Sequence, residues 1–135
     1  VVTGRPTLRR ELSVAGPRAA DDVWDRYVRP ARWSEWSPQI RSVDYPAKLL
    51  AEGTSGVVHG LFGLTVRFRI QAVDGTGPVR QWSWTVTAVG VELVLAHTVE
   101  SVAGGTRTGL TVEGFAPAVV AYLPLARFAL YRLVH

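Results

Sequence analysis

The sequence predicts an α+β fold: a seven-stranded antiparallel sheet in the order β-α-α-β6-α, covered on one face by a long C-terminal helix. Three observations predict it. One strand-like and two helical stretches precede residue 40. Over residues 40–115 apolar side chains recur with period two, in runs separated by turn residues. The last stretch, residues 117–135, is apolar apart from Arg127, Arg132 and His135 and is long enough for a helix.

The elements follow in order. Residues 7–14 alternate, with Leu8, Arg10, Leu12 and Val14 on one side. Gly16-Pro17 breaks that strand, and Pro17 suits the first position of a helix. Within 18–28, Ala20, Val23, Trp24, Tyr27 and Val28 form one stripe at helical spacing. Asp22–Arg26 and Asp25–Arg29 are i,i+4 pairs on its wet side, and Pro30 stops it. Residues 32–39 make a short helical or irregular piece carrying Trp33 and Trp36, closed by Ser37-Pro38. Six strands are then expected at 40–45, 50–59, 64–73, 80–87, 91–102 and 106–115. Their turns are too short for crossover helices, so the sheet is antiparallel. Gly104-Gly105 is the strongest hairpin signal. Two strands show their faces. Leu64, Val66, Phe68, Ile70 and Ala72 oppose Thr65, Arg67, Arg69 and Gln71, while Trp82, Trp84 and Val86 oppose Ser83, Thr85 and Thr87. One face is wet and one is covered. In the final helix, Pro124 either kinks the helix or marks its start.

Composition limits the function classes. A chain of 135 residues suits one domain and buries about two thirds of its extended surface on folding. It has no cysteine, which removes disulfides, thiolate metal sites and a cysteine nucleophile. The net charge is +4, with Lys48 the single lysine and Arg9-Arg10 the only adjacent basic pair. Charge this scattered reads as solvated surface, and no nucleic-acid partner is expected. The longest apolar run, residues 115–126, is interrupted by Pro124 and stopped by Arg127. It is shorter than a bilayer span, so no transmembrane segment is expected. No charged-then-apolar leader precedes the first strand, so no signal peptide is expected, and the location expected is cytoplasmic. Three widely separated histidines make a poor metal set. No glycine-rich phosphate loop and no Gly-x-Ser-x-Gly occurs. No metal and no cofactor is expected, and the oligomeric state is left open.

Particular segments carry a resemblance. They are Val23-Trp24-Asp25-Arg26-Tyr27 leading to Arg32-Trp33-Ser34-Glu35-Trp36-Ser37-Pro38, then Gln81-Trp82-Ser83-Trp84-Thr85-Val86, then Ala96-His97-Thr98-Val99-Glu100 running to Gly104-Gly105-Thr106-Arg107. With the element order, they make the chain similar to the helix-grip fold of the START-like superfamily, also called SRPBCC. That superfamily includes polyketide cyclase/dehydrase-like proteins. The likeness runs from Leu8 onward. It implies a single domain over 1–135, a curved sheet wrapped around the long C-terminal helix, and an apolar cavity between them. It also implies binding of a hydrophobic small molecule, lipid or polyketide-like. Some members cyclise or aromatise polyketide chains.

The candidate site residues are mostly aromatic. Phe62, Phe68, Trp82, Trp84 and Phe115 belong to the covered face, with Trp33, Trp36 and Tyr122 nearby in the expected fold. They read as an aromatic pocket whose indole N–H groups orient a ligand, or more plainly as core. Two tryptophans on one face of one strand suit a cavity wall better than a dense core. For Trp33 and Trp36, a plug between short helix and sheet is the plainer reading. His97 shares a face with Leu93, Leu95 and Val99. There it either serves a ligand as acid, base or hydrogen-bond partner or is a buried histidine satisfied by its neighbours. In the cyclase reading Glu113 or Tyr122 assists His97, Glu113 only if its face is inward; its other face is solvent. The ligand set is thus Trp36, Phe62, Phe68, Trp82, Trp84, Leu95, His97, Phe115 and Tyr122, with His97 and Glu113 as catalytic candidates. Three functions follow: binding a hydrophobic or aromatic small molecule, cyclising a poly-β-keto chain, or presenting a surface to a protein partner over a collapsed core.

Overall fold

A computed structural model describes residues 6–135; residues 1–5, part of the stretch read above for a leader, lie outside it. Seven antiparallel strands form one sheet: β1 (Thr7–Gly16), β2 (Ile40–Asp44), β3 (Ser55–Gly60), β4 (Thr65–Asp74), β5 (Val79–Ala88), β6 (Val91–Val102) and β7 (Gly105–Phe115). Their spatial order is β1-β7-β6-β5-β4-β3-β2. Two helices, α1 (Ala20–Val28) and α2 (Trp33–Trp36), lie between β1 and β2, with a 3-10 turn at Pro30–Arg32 between them. The long helix α3 (Ala116–Val134) closes the chain and packs on the concave side of the curved sheet. The α+β helix-grip architecture expected from the sequence is the architecture found.

Element ends differ where tertiary bonds override local pattern. Pro17 does not open α1, which starts three residues later. Instead the Arg18 N–H donates to the Val134 carbonyl at 3.0 Å, tying this corner to the end of α3. Gly16 permits the approach, because a Cβ there would lie 2.4 Å from the same oxygen. The strand expected from residue 50 begins at Ser55. Leu50 donates its N–H to the Val28 carbonyl (2.9 Å) and is buried under α1, so residues 50–54 serve as an anchored turn.

The face predicted for β4 holds through Ile70 and then fails. A bulge between Ile70 and Ala72 shifts the register against β5. Beyond it Val73 is turned inward and Ala72 is exposed. One extra residue bends the strand and adds to the local twist of the sheet.

Helix α3 is continuous from Ala116 to Val134, so Pro124 lies inside it and does not mark its start. Pro124 and Arg127 sit on the exposed side. The carbonyl of Val120, which Pro124 leaves without an N–H partner, belongs to a residue on the same wet side. By length and composition alone this helix is apolar enough to cross a membrane, which revises the expectation drawn from the shorter run. About a third of it is buried against the rest of the protein.

A candidate ligand-binding site

Helix α3 grips the sheet closely at its C-terminal half and less closely before it. The C-terminal end is locked by Arg26 of α1, only 5% exposed, whose guanidinium donates to the carbonyls of Arg132 (3.0 Å) and Leu133 (2.7 Å). A cation there satisfies orphan carbonyls and opposes the negative end of the helix dipole. Arg132 in turn donates to the Glu35 carbonyl at 3.0 Å. Ahead of this clamp, small residues (Ala118, Ala121, Ala126, Ala129) face the sheet and leave space.

That space is a cavity of about 450 Å³. Its floor is β5 and β6, through Trp82, Trp84, Val86, Leu93, Leu95 and His97. One wall is Trp33 and Trp36 of α2, and the roof is α3 through Ala118, Tyr122, Leu125 and Ala126. Leu64, Val89 and Leu125 both line it and are exposed, which marks the open side. Among the described residues, no Asp, Glu, Lys or Arg belongs to the lining.

The polar groups around it are mostly satisfied by the protein. Trp33 Nε1 donates to the Tyr27 carbonyl (2.7 Å) and Trp36 Nε1 to the Arg26 carbonyl (3.2 Å), so two indoles cap the end of α1. Trp84 Nε1 donates to His97 Nε2 at 3.1 Å. His97 Nδ1 lies 3.2 Å from the Tyr27 hydroxyl, which lies 2.6 Å from Thr108 Oγ1; that hydroxyl donates to the Thr98 carbonyl at 2.9 Å. Counting hydrogens fixes the direction. Thr108 spends its proton on Thr98, so Tyr27 donates to Thr108, and His97 Nδ1–H donates to Tyr27. His97 is therefore neutral, with Nε2 as acceptor. Burial pushes its pKa down to about 3. Its ring also stacks on Trp82, with centroids 4.5 Å apart and planes 8° apart.

Of the residues expected from sequence, Trp36, Trp82, Trp84, Leu95, His97 and Tyr122 line the cavity. Four do not. Phe62 is fully exposed (101%) in the turn after β3, with φ of 58°, so the strand alternation that assigned it a face does not extend there. Phe68 is buried but spent elsewhere. It covers its cross-strand partner Gly56 and sits among Tyr45, Trp33 and Trp84. Phe115 ends β7 at the start of α3, outside the lining. Glu113 is exposed and points away from His97, because β7 turns Thr106, Thr108, Leu110 and Val112 inward. Both ring nitrogens of His97 are engaged within the protein, which favours the plainer of its two readings, a buried histidine satisfied by its neighbours. Trp33, read from sequence as pocket or plug, lines the cavity too, and Val86 and Leu93 were not named as ligand residues although each shares strand parity with one that was.

This geometry belongs to a helix-grip protein. The chain matches the family model for polyketide cyclase / dehydrase and lipid transport over residues 7–133, and it belongs to that family. Solved structures with the same fold include the hypothetical protein jhp0584 from Helicobacter pylori (TM-score 0.76, 17% identity, covering 96% of this chain and 86% of that one). They also include Ara h 8.0201 (TM-score 0.70, 15% identity, 95% and 99%) and protein CV1439 from Chromobacterium violaceum (TM-score 0.69, 13% identity, 93% and 94%). No curated protein matches the chain.

Proposed function

We propose that this protein binds a hydrophobic small molecule, aromatic or lipid-like, in the cavity under α3. The observation that carries the reading is a 450 Å³ space lined by aromatic and aliphatic side chains with no ionised group. Affinity for such a molecule comes from apolar area removed from water, on the order of 25 cal/mol per Å² before the costs of association. Membership of a family described by cyclisation, dehydration and lipid transport supports ligand binding in general.

Cyclisation of a poly-β-keto chain is the second reading, and the family description favours it. Positioning alone accounts for much of such catalysis. A proton shuttle at His97 would require its hydrogen bond to Trp84 or to Tyr27 to break. Native and denaturing mass spectra of the purified protein, with solvent extraction, test the first reading. The expected result is a reproducible extra mass that vanishes on denaturation, or tryptophan fluorescence that changes across an aromatic and lipid panel. A clean spectrum together with no fluorescence response would overturn it and favour a protein-interaction domain. A poly-β-keto mass that the protein converts on incubation would favour the cyclase.

A further inference from the structure

Most polar hydrogens around the cavity are committed. The indoles of Trp33, Trp36 and Trp84 and both nitrogens of His97 bond within the protein. Trp82 Nε1 has no partner among the described residues but is sealed from anything the size of water, as is Gln39 Oε1. Besides Trp82, three lining side chains keep a polar hydrogen that makes no hydrogen bond among the described residues: Ser37 and Gln39, which follow α2 in the chain, and Tyr122 of α3. Tyr122 is the one on the helix that roofs the cavity. Burial alone pushes its pKa up to about 12, so it stays a neutral phenol.

The Tyr122 hydroxyl is not among the sealed polar atoms, so it opens onto the cavity, where a ligand oxygen can accept its hydrogen. The lining holds no cation or anion to neutralise a ligand's charge. A carboxylate or phosphate placed there would lose its hydration with no opposite charge to offset the loss. Resting on the cavity reading above, we propose that the ligand is an uncharged molecule bearing one carbonyl or hydroxyl oxygen, which the Tyr122 hydroxyl selects.

Three matched naphthalenes test this: 2-acetylnaphthalene, its hydrocarbon isostere 2-isopropenylnaphthalene, and 2-naphthoate. Each is titrated into wild-type protein and Tyr122→Phe at pH 7, with tryptophan quenching as the readout. Tyr122→Phe should weaken the ketone about 3- to 10-fold and leave the hydrocarbon within about twofold. Naphthoate should bind wild type at least about 100-fold more weakly than the ketone. Equal losses for ketone and hydrocarbon, no loss for either, or naphthoate binding as well as the ketone would overturn the Tyr122 assignment while leaving the cavity reading intact. Binding of none of the three up to their solubility would overturn both. The variant should fold with an unchanged melting midpoint. Failure to fold would also overturn the assignment, because the hydroxyl would then have a structural partner.

Discussion

His97 shows how a single residue is read one way from its strand and another from its surroundings. Alternation along β6 puts it on the covered face, and it is 3% exposed there. Its partners are not local. Tyr27 lies on α1 and Thr108 on β7, so no spacing in the sequence announces that the imidazole is already satisfied. Tyr27→Phe should therefore cost about 1–3 kcal/mol in urea unfolding, since it strands the His97 Nδ1–H and removes the donor to Thr108. A second consequence concerns pH. The folded pKa of His97 is about 3, against about 6.5 unfolded. The unfolded chain therefore binds one more proton between these values. Stability is fully present above pH 6.5 and falls by about 1.4 kcal/mol per unit as pH drops below it. Asp22 and Asp25 are held below the usual carboxylate range by hydrogen bonds from Arg18 and Arg32 and from Arg29 and Arg32 respectively, so their contribution is lost only below about pH 3.8. Unfolding measured from pH 7 to 4 should show the histidine slope, and His97→Gln should flatten it.

Among the elements, the strands were the most legible and their irregularities the least. Trp82 and Trp84 lie on the inward face, as alternation required. The β4 bulge was invisible because both Ala72 and Val73 are apolar enough to sit on either side. The inward face of β7 was disguised by Thr106 and Thr108, polar residues that are buried because they bond to the Arg18 and Thr98 carbonyls. The β5–β6 hairpin carries a local strain. Val89 and Gly90 both have positive φ (52° and 73°), which the two-residue turn demands and a β-branched side chain resists. Val89→Asn should raise stability by about 1 kcal/mol, measured by chemical denaturation. At the other end of the molecule, Arg26→Met should cost about 3 kcal/mol, because two carbonyls of α3 lose a charged donor. Hydrogen exchange should then show the last turn of α3 opening first.

For the whole molecule, the fold follows from pattern while the cavity follows from what the pattern leaves unfilled. Alanines at the sheet-facing positions of α3 read as good helix formers, and only the assembled structure reveals that they leave a gap. A ligand that fills it must stabilise the folded state by mass action, about 2.7 kcal/mol at a hundredfold excess over its Kd. A thermal-shift screen of neutral aromatic ketones and alcohols should give concentration-dependent rises in melting midpoint, and the matching acids should give none.

The pairing of β1 has a consequence for how the chain is made. The first strand has a single neighbour in the sheet, β7, whose paired residues lie on the order of a hundred positions downstream. The corner after β1 is fastened to Val134. On a ribosome, β1 emerges before the other six strands and waits for the last of them, β7. Stable structure in this strand is therefore a late event of synthesis, and nascent chains stalled before Gly105 should leave residues 7–16 open to proteases that spare the finished protein.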